Sequence, residues 1–253
     1  MKYLKTLYDL TNRLYLSGIR VNTFILNKDK EFYSKWNNKI LIIIKENDIE
    51  DEISLNKIKR YNINNNLIVY NPMEEWKNEI DTLENEMIEY NKEFPLIQES
   101  FNYFIGMGEN AIQFVEQIKN KINIMSNSIG HKVDDNLFND YNINDPFNFI
   151  RVNKTYDISN YIKYKLFGGS ISFNEISEVF SSLNDDEIIY LFSCLLYPNY
   201  YFELIKKILL KDHKEDDIML YISKRDKYRQ MLSFCQKLVK NRGIQSFINW
   251  IDK

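Results

Sequence analysis

The densest group of residues able to do chemistry lies in an irregular stretch, residues 123–156. It holds Ser126, Asn127, Ser128, His131, Asp134, Asp135, Asn139, Asp140 and Asp145. Asp134 and Asn139 stand five positions apart. That spacing lets a loop present a proton-accepting carboxylate and a metal-binding amide to a phosphoryl group. A solvated acidic loop would need the same residue types, and Asn is abundant here, with 32 in 253 residues. His131 stands three positions before Asp134, one too many for the usual H-x-D.

Other site chemistries find little support. Ile105-Gly106-Met107-Gly108 contains a GxG, but it follows no strand and falls inside an amphipathic helix pattern. Dinucleotide binding needs strand, tight turn and helix start together. There the small residues read as room for a neighbouring element. No GxxxxGK[ST] and no GxSxG occurs. Cys194 and Cys235 lie in apolar helical stretches and read as buried free thiols, not as nucleophiles or a disulfide. The two histidines, His131 and His213, are far apart, so no zinc pattern forms.

The formal charge is −3 and the pI about 5.6. That balance excludes a whole-chain nucleic-acid footprint. Charge is uneven: residues 74–117 carry 11 acids and 2 lysines, residues 201–253 carry 12 bases and 7 acids. The plain reading is solvated helix faces that attract one another across the fold; the sharper one is a basic docking surface for an acidic partner. The longest apolar runs, 40–44 and 188–196, are far shorter than the ~20 residues of a membrane span. The N-terminus lacks a secretory pattern. A soluble, cytoplasmic protein is expected, with no nucleic-acid or membrane partner.

The elements that must hold the irregular stretch come in two kinds. Residues 4–16 have helical periodicity, ended by Gly18. Three short strands follow near 21–27, 31–36 and 39–45, with turns at Asn27-Lys28-Asp29 and Asn37-Asn38, since Asn and Asp tolerate left-handed backbone. The unbroken run 42–44 predicts a central strand. A short helix is expected over 53–61, and a strand or linker over 67–70. From Pro72 the chain reads as helical: 73–90, 97–120, 157–167, 173–183, 185–210, 216–241 and 244–251. Asn71 is a candidate cap, Asn184 with Glu187 a capping box, and Pro198 a kink. Within 123–156 one strand-like patch is expected, at 147–152. The fold class is therefore α+β: residues 1–71 hold a helix and antiparallel strands, residues 72–253 a helical part.

Four stretches carry a family resemblance. Phe94-Pro95 and the run from Glu99 through Glu109-Asn110-Ala111-Ile112-Gln113 form the first. Asp145-Pro146-Phe147 through Asp157-Ile158-Ser159 is the second, and Leu195-Leu196-Tyr197-Pro198 with Tyr201-Phe202-Glu203 the third. The closing Phe247-Ile248-Asn249-Trp250-Ile251 is the least specific. Together they resemble the spore-coat YutH/CotS branch of the kinase-like superfamily, which includes aminoglycoside phosphotransferases and choline kinases.

That resemblance implies a bilobal kinase-like fold, with residues 1–71 a truncated N-lobe, 45–52 the hinge and 72–253 the C-lobe. It places Met1 after the phosphate-covering strands and their lysine. His131 then matches the catalytic-loop histidine, and Val133 stands where the catalytic Asp belongs. Val152 falls at the metal-binding Asp, and Asp157 matches a family Asp that helix capping would explain. Valine neither ligates magnesium nor accepts a proton. The implied function is a catalytically inactive pseudokinase that binds or scaffolds a protein partner, in the spore coat by analogy. It would have no catalytic, cofactor-binding or metal residues. The alternative is a small-molecule phosphotransferase with a displaced site, using Asp134 as base and Asn139 with Asp145 or Asp157 as metal ligands.

Overall fold

A computed structural model describes residues 2–47, 53–90, 93–132, 143–169, 171–246 and 248–251. The chain opens with helix α1 (Lys2–Leu16), whose Leu7, Leu10, Thr11 and Leu14 form one buried stripe. Gly18, at φ 74°, ends it. The strands β1 (Thr23–Phe24), β2 (Ser34–Trp36), β3 (Lys39–Leu41) and β4 (Ile44–Lys45) follow. β2 pairs antiparallel with β3 through Asn37 and Asn38, both at positive φ as that turn requires. β1 pairs antiparallel with β4.

Residues 39–45 thus split between two ribbons instead of forming one central strand. Ile43 is 63% exposed, because a two-stranded ribbon covers only one face. The apolar run predicted burial that this topology does not supply. The first turn also differs in detail. Asn27 Oδ1 accepts from the N–H groups of Asp29 and Glu31, while the left-handed residue is Lys30.

Helix α2 (Leu55–Lys59) starts at Ser54, whose hydroxyl accepts from Lys57 N–H. Of the 67–70 stretch, only a parallel bridge between Val69 and Arg151 forms. α3 (Pro72–Tyr90) begins at its proline, with Asn71 Oδ1 accepting from Met73 N–H. α4 (Pro95–Val115) and α5 (Ile122–Met125) lead to β5 (Ser128–His131), which pairs antiparallel with β6 (Phe149–Val152).

The remaining helices are α6 (Thr155–Gly168), α7 (Phe173–Ser181), α8 (Asp185–Leu196), α9 (Asn199–Leu209), α10 (Met219–Ser223) and α11 (Arg225–Asn241). The Asn184–Glu187 capping box forms in both directions, at 3.0 and 3.1 Å. Pro198 separates two helices rather than kinking one, because its missing N–H and the extended Tyr197 stop α8. Residues 244–246 and 248–251 form turns and irregular chain, not the expected helix.

α8 is the centre of the molecule. Every residue from Ile188 to Leu196 is buried, and α4, α6 and α11 pack around it. By length and composition, residues 185–209 could cross a bilayer, but here they are core. Each fully buried Leu, Ile or Phe contributes about 1.5–3 kcal/mol of transfer free energy. An aromatic stair joins the two parts: Tyr8 stacks on Phe32 at 5.3 Å, and Phe24 meets both Phe32 and Phe147 edge-on.

Candidate functional site

The site grows from the β5–β6 hairpin. Ser128, Ile129, Gly130 and His131 are all buried. Ile129 N–H donates to Tyr61 O at 3.1 Å, and His131 pairs with Phe149. Gly130 is required where it stands. A Cβ there would lie 2.3 Å from Val152 Cγ2 and 3.3 Å from Asp157 Oδ1. The bare backbone lets the start of α6 settle against the strand.

That approach delivers Asp157 to His131. Oδ1 accepts the His131 backbone N–H at 3.0 Å, and Oδ2 lies 2.6 Å from Nδ1. Both residues are buried. The His131 ring also meets Tyr61 edge-on at 4.7 Å and Phe149 at 5.3 Å. Capping does not explain Asp157. The start of α6 is tied instead by Asn153 Oδ1, which accepts from Thr155 N–H and Oγ1.

The hairpin register puts Val152 at the opposite end of the strand pair from His131. Val152 pairs with Ser128, while His131 pairs with Phe149. At about 3.4 Å per residue, Val152 lies roughly 10 Å along the strand from the His131 end. It fills the core beneath Gly130.

The other polar candidates divide. Asp145 Oδ1 accepts from Phe147 N–H and caps the 3-10 turn Pro146–Asn148. Ser126 Oγ donates to Ile122 O, and Ser128 Oγ to Asn62 Oδ1 at 2.6 Å. Asp145, Ser126 and Ser128 thus hold local structure. Val133, Asp134, Asp135, Asn139 and Asp140 lie outside the described residues, as does most of the hinge stretch, 48–52. Among the described residues no three His, Cys, Asp or Glu converge as a metal would need.

Beside Lys132 is a cleft of about 230 Å³ lined by Tyr70, Glu75, Glu79, Tyr156, Tyr197 and Lys206, among others. Its charges are partly neutralised. Lys206 bridges Glu79 and Glu203, the latter at 2.9 Å, and the Tyr197 hydroxyl donates to Glu79. Burial alone would lower the Lys206 pKa, but the two carboxylates outweigh it and raise the value.

Sequence reasoning missed Lys163. On α6, it is 2% exposed, and Nζ donates to Cys194 O (2.9 Å), Tyr197 O (3.1 Å) and Asn199 Oδ1 (2.7 Å). These acceptors cluster where Pro198 breaks the helix. Burial pulls the lysine down to about 7. The sequence held no signal for it: residues 155–163 mix polar and apolar types, and their burial all round comes from the elements packed on α6.

A family model described as "Spore coat putative kinase YutH" matches residues 1–235. No curated protein and no solved structure matches.

Proposed function

The chain belongs to this spore-coat YutH family, with its kinase-like α+β bilobal fold, and from that premise we propose that it acts by binding and not by phosphoryl transfer. The carrying observation is the bond set of Asp157. Both of its oxygens are committed to His131, inside the core. A carboxylate so held is open neither to a metal ion nor to a substrate proton. That disfavours the displaced-site reading in the part that uses Asp157 as a metal ligand. Asp145 is held differently: only its Oδ1 caps a turn, through an exposed hydrogen bond.

Val133 supports the same conclusion from sequence. It occupies the position after His131-Lys132 where a proton acceptor belongs, and its side chain has no lone pair. On this reading the fold positions surfaces for protein contacts in the coat, with the two parts dividing near Pro72. Phosphoryl transfer would need both charge neutralisation and a base.

The test is titration calorimetry with Mg·ATP beside a phosphate-release assay. The expected result is no turnover above the buffer rate, whether or not nucleotide binds. Steady turnover that disappears in Asp134→Ala would overturn the proposal and restore the displaced site.

A further inference from the structure

The β2–β3 hairpin stands in solvent with apolar side chains uncovered. Trp36 is 63% exposed, and Ile40 and Leu41 are also open. On the adjoining ribbon Ile25 and Ile43 are exposed together, with Ile25 N–H donating to Ile43 O at 2.9 Å. By the register Trp36 and Leu41 share one face of the hairpin and Ile40 the other, and exposed apolar side chains rimmed by charge mark a contact site. The rim here is basic: residues 27–45 carry five lysines and two acids. None of those lysines is ion-paired among the described residues.

A surface of opposite character lies on the helical part. Between α3 and α4 runs a groove of about 540 Å³. Met87, Ile88 and Phe101 give it an apolar side, and Glu84 stands at its lip. Ile88 is 78% exposed. α3 carries seven acids against one lysine. Among the described residues only Glu79 of those seven is ion-paired.

We propose that the chain self-associates head to tail, the β2–β3 hairpin of one copy seating Trp36 in the α3–α4 groove of the next. Charge selects this occupant. Five lysines oppose a symmetric hairpin-to-hairpin contact, and the acids of α3 oppose a groove-to-groove one. Each surface finds its complement on another copy of the same chain. Such a contact is heterologous, so successive copies add without closing. It is independent of whether the protein turns over ATP.

Sedimentation velocity on the full chain tests it. Wild type is expected to form oligomers that grow with concentration and shrink as salt screens the charges. Trp36→Ser with Lys39→Glu removes the hairpin contact; Ile88→Ser with Glu84→Lys removes the groove contact. Each variant alone should associate at least about tenfold more weakly. Mixed in equal amounts, they should form a complex that stops at two, because one keeps its groove and the other its hairpin. Should either variant lose the wild-type circular dichroism, the single charge changes Lys39→Glu and Glu84→Lys are used instead: each alone should associate more weakly, and mixing them should restore growing oligomers, because opposite charges then meet at both contacts. A wild type that stays monomeric at every concentration, a mixture that stays monomeric, or variants that associate like wild type each overturn the proposal.

Discussion

Asp157 Oδ2 lies 2.6 Å from His131 Nδ1 while Oδ1 takes the His131 backbone N–H at 3.0 Å, so one carboxylate holds both the ring and the main chain at the end of β5. The residue that in sequence looked like a helix cap is an anchor. It ties the first turn of α6 to the strand leading into the polar loop.

Removing that anchor has a calculable direction. Asp157→Ala leaves the His131 N–H and Nδ1 without their buried acceptor, a loss of about 3 kcal/mol. Asp157→Asn keeps one acceptor and should cost about half as much. Urea unfolding measures both. Equal midpoints for wild type and the alanine variant would refute the anchoring role.

The two glycines of the GxG pattern should respond in opposite directions. A Cβ on Gly106 meets nothing within 4 Å, so Gly106→Ala gains helix propensity, about 0.5–1 kcal/mol. A Cβ on Gly108 would lie 2.8 Å from Ile80 Cδ1 and 3.3 Å from Phe202. Crowding there outweighs propensity, and Gly108→Ala should lose about 1 kcal/mol. Thermal melts of the two variants should move apart; a matching shift would remove the close-packing reading of Gly108.

What the sequence made legible was local. Asn37-Asn38, the Asn184–Glu187 box, Pro72 and Pro198 act within four residues, so their chemistry can be read without the fold. β5 was not legible. Ser128-Ile129-Gly130-His131 has one large aliphatic residue, and its burial comes from β6 and Tyr61, far away in the chain. The run 42–44 misled for the converse reason: apolar character does not say whether anything covers it. Lys163 and Asp157 were hidden because their partners lie on other elements.

Both thiols should be inert in the folded protein. Cys194 and Cys235 are buried, and burial pushes the Cys194 pKa up to about 12 and that of Cys235 well above the usual thiol range. Since the thiolate is the reactive form, labelling by a soluble disulfide reagent at pH 8 must wait for opening. Native labelling should be slower than labelling in urea by about 10³ or more. Rapid reaction of either cysteine without denaturant would contradict the packing of α8 or α11.

Lys163 should give stability a distinctive dependence on pH. Its folded value is about 7, against about 10.4 for an ordinary lysine. Between those values the unfolded chain binds the extra proton, so stability rises with pH, by at most about 1.4 kcal/mol per unit from this group. Below pH 7 both states are protonated and its contribution is flat. Above about 8.5 the trend reverses. Burial raises the phenols of Tyr156, Tyr190 and Tyr200, so the unfolded chain ionises first. The raised thiols of Cys194 and Cys235 act the same way from about pH 8.5, and two of them outweigh one lysine, so stability should peak at about pH 8. Lys163→Met removes the rising limb while leaving the alkaline fall. It also strands the carbonyl of Cys194, a cost of about 1–3 kcal/mol that is the same at every pH. Urea midpoints of both proteins from pH 6 to 11 separate the two effects; an identical slope between pH 7 and 9 would show that Lys163 does not lose its proton inside the fold.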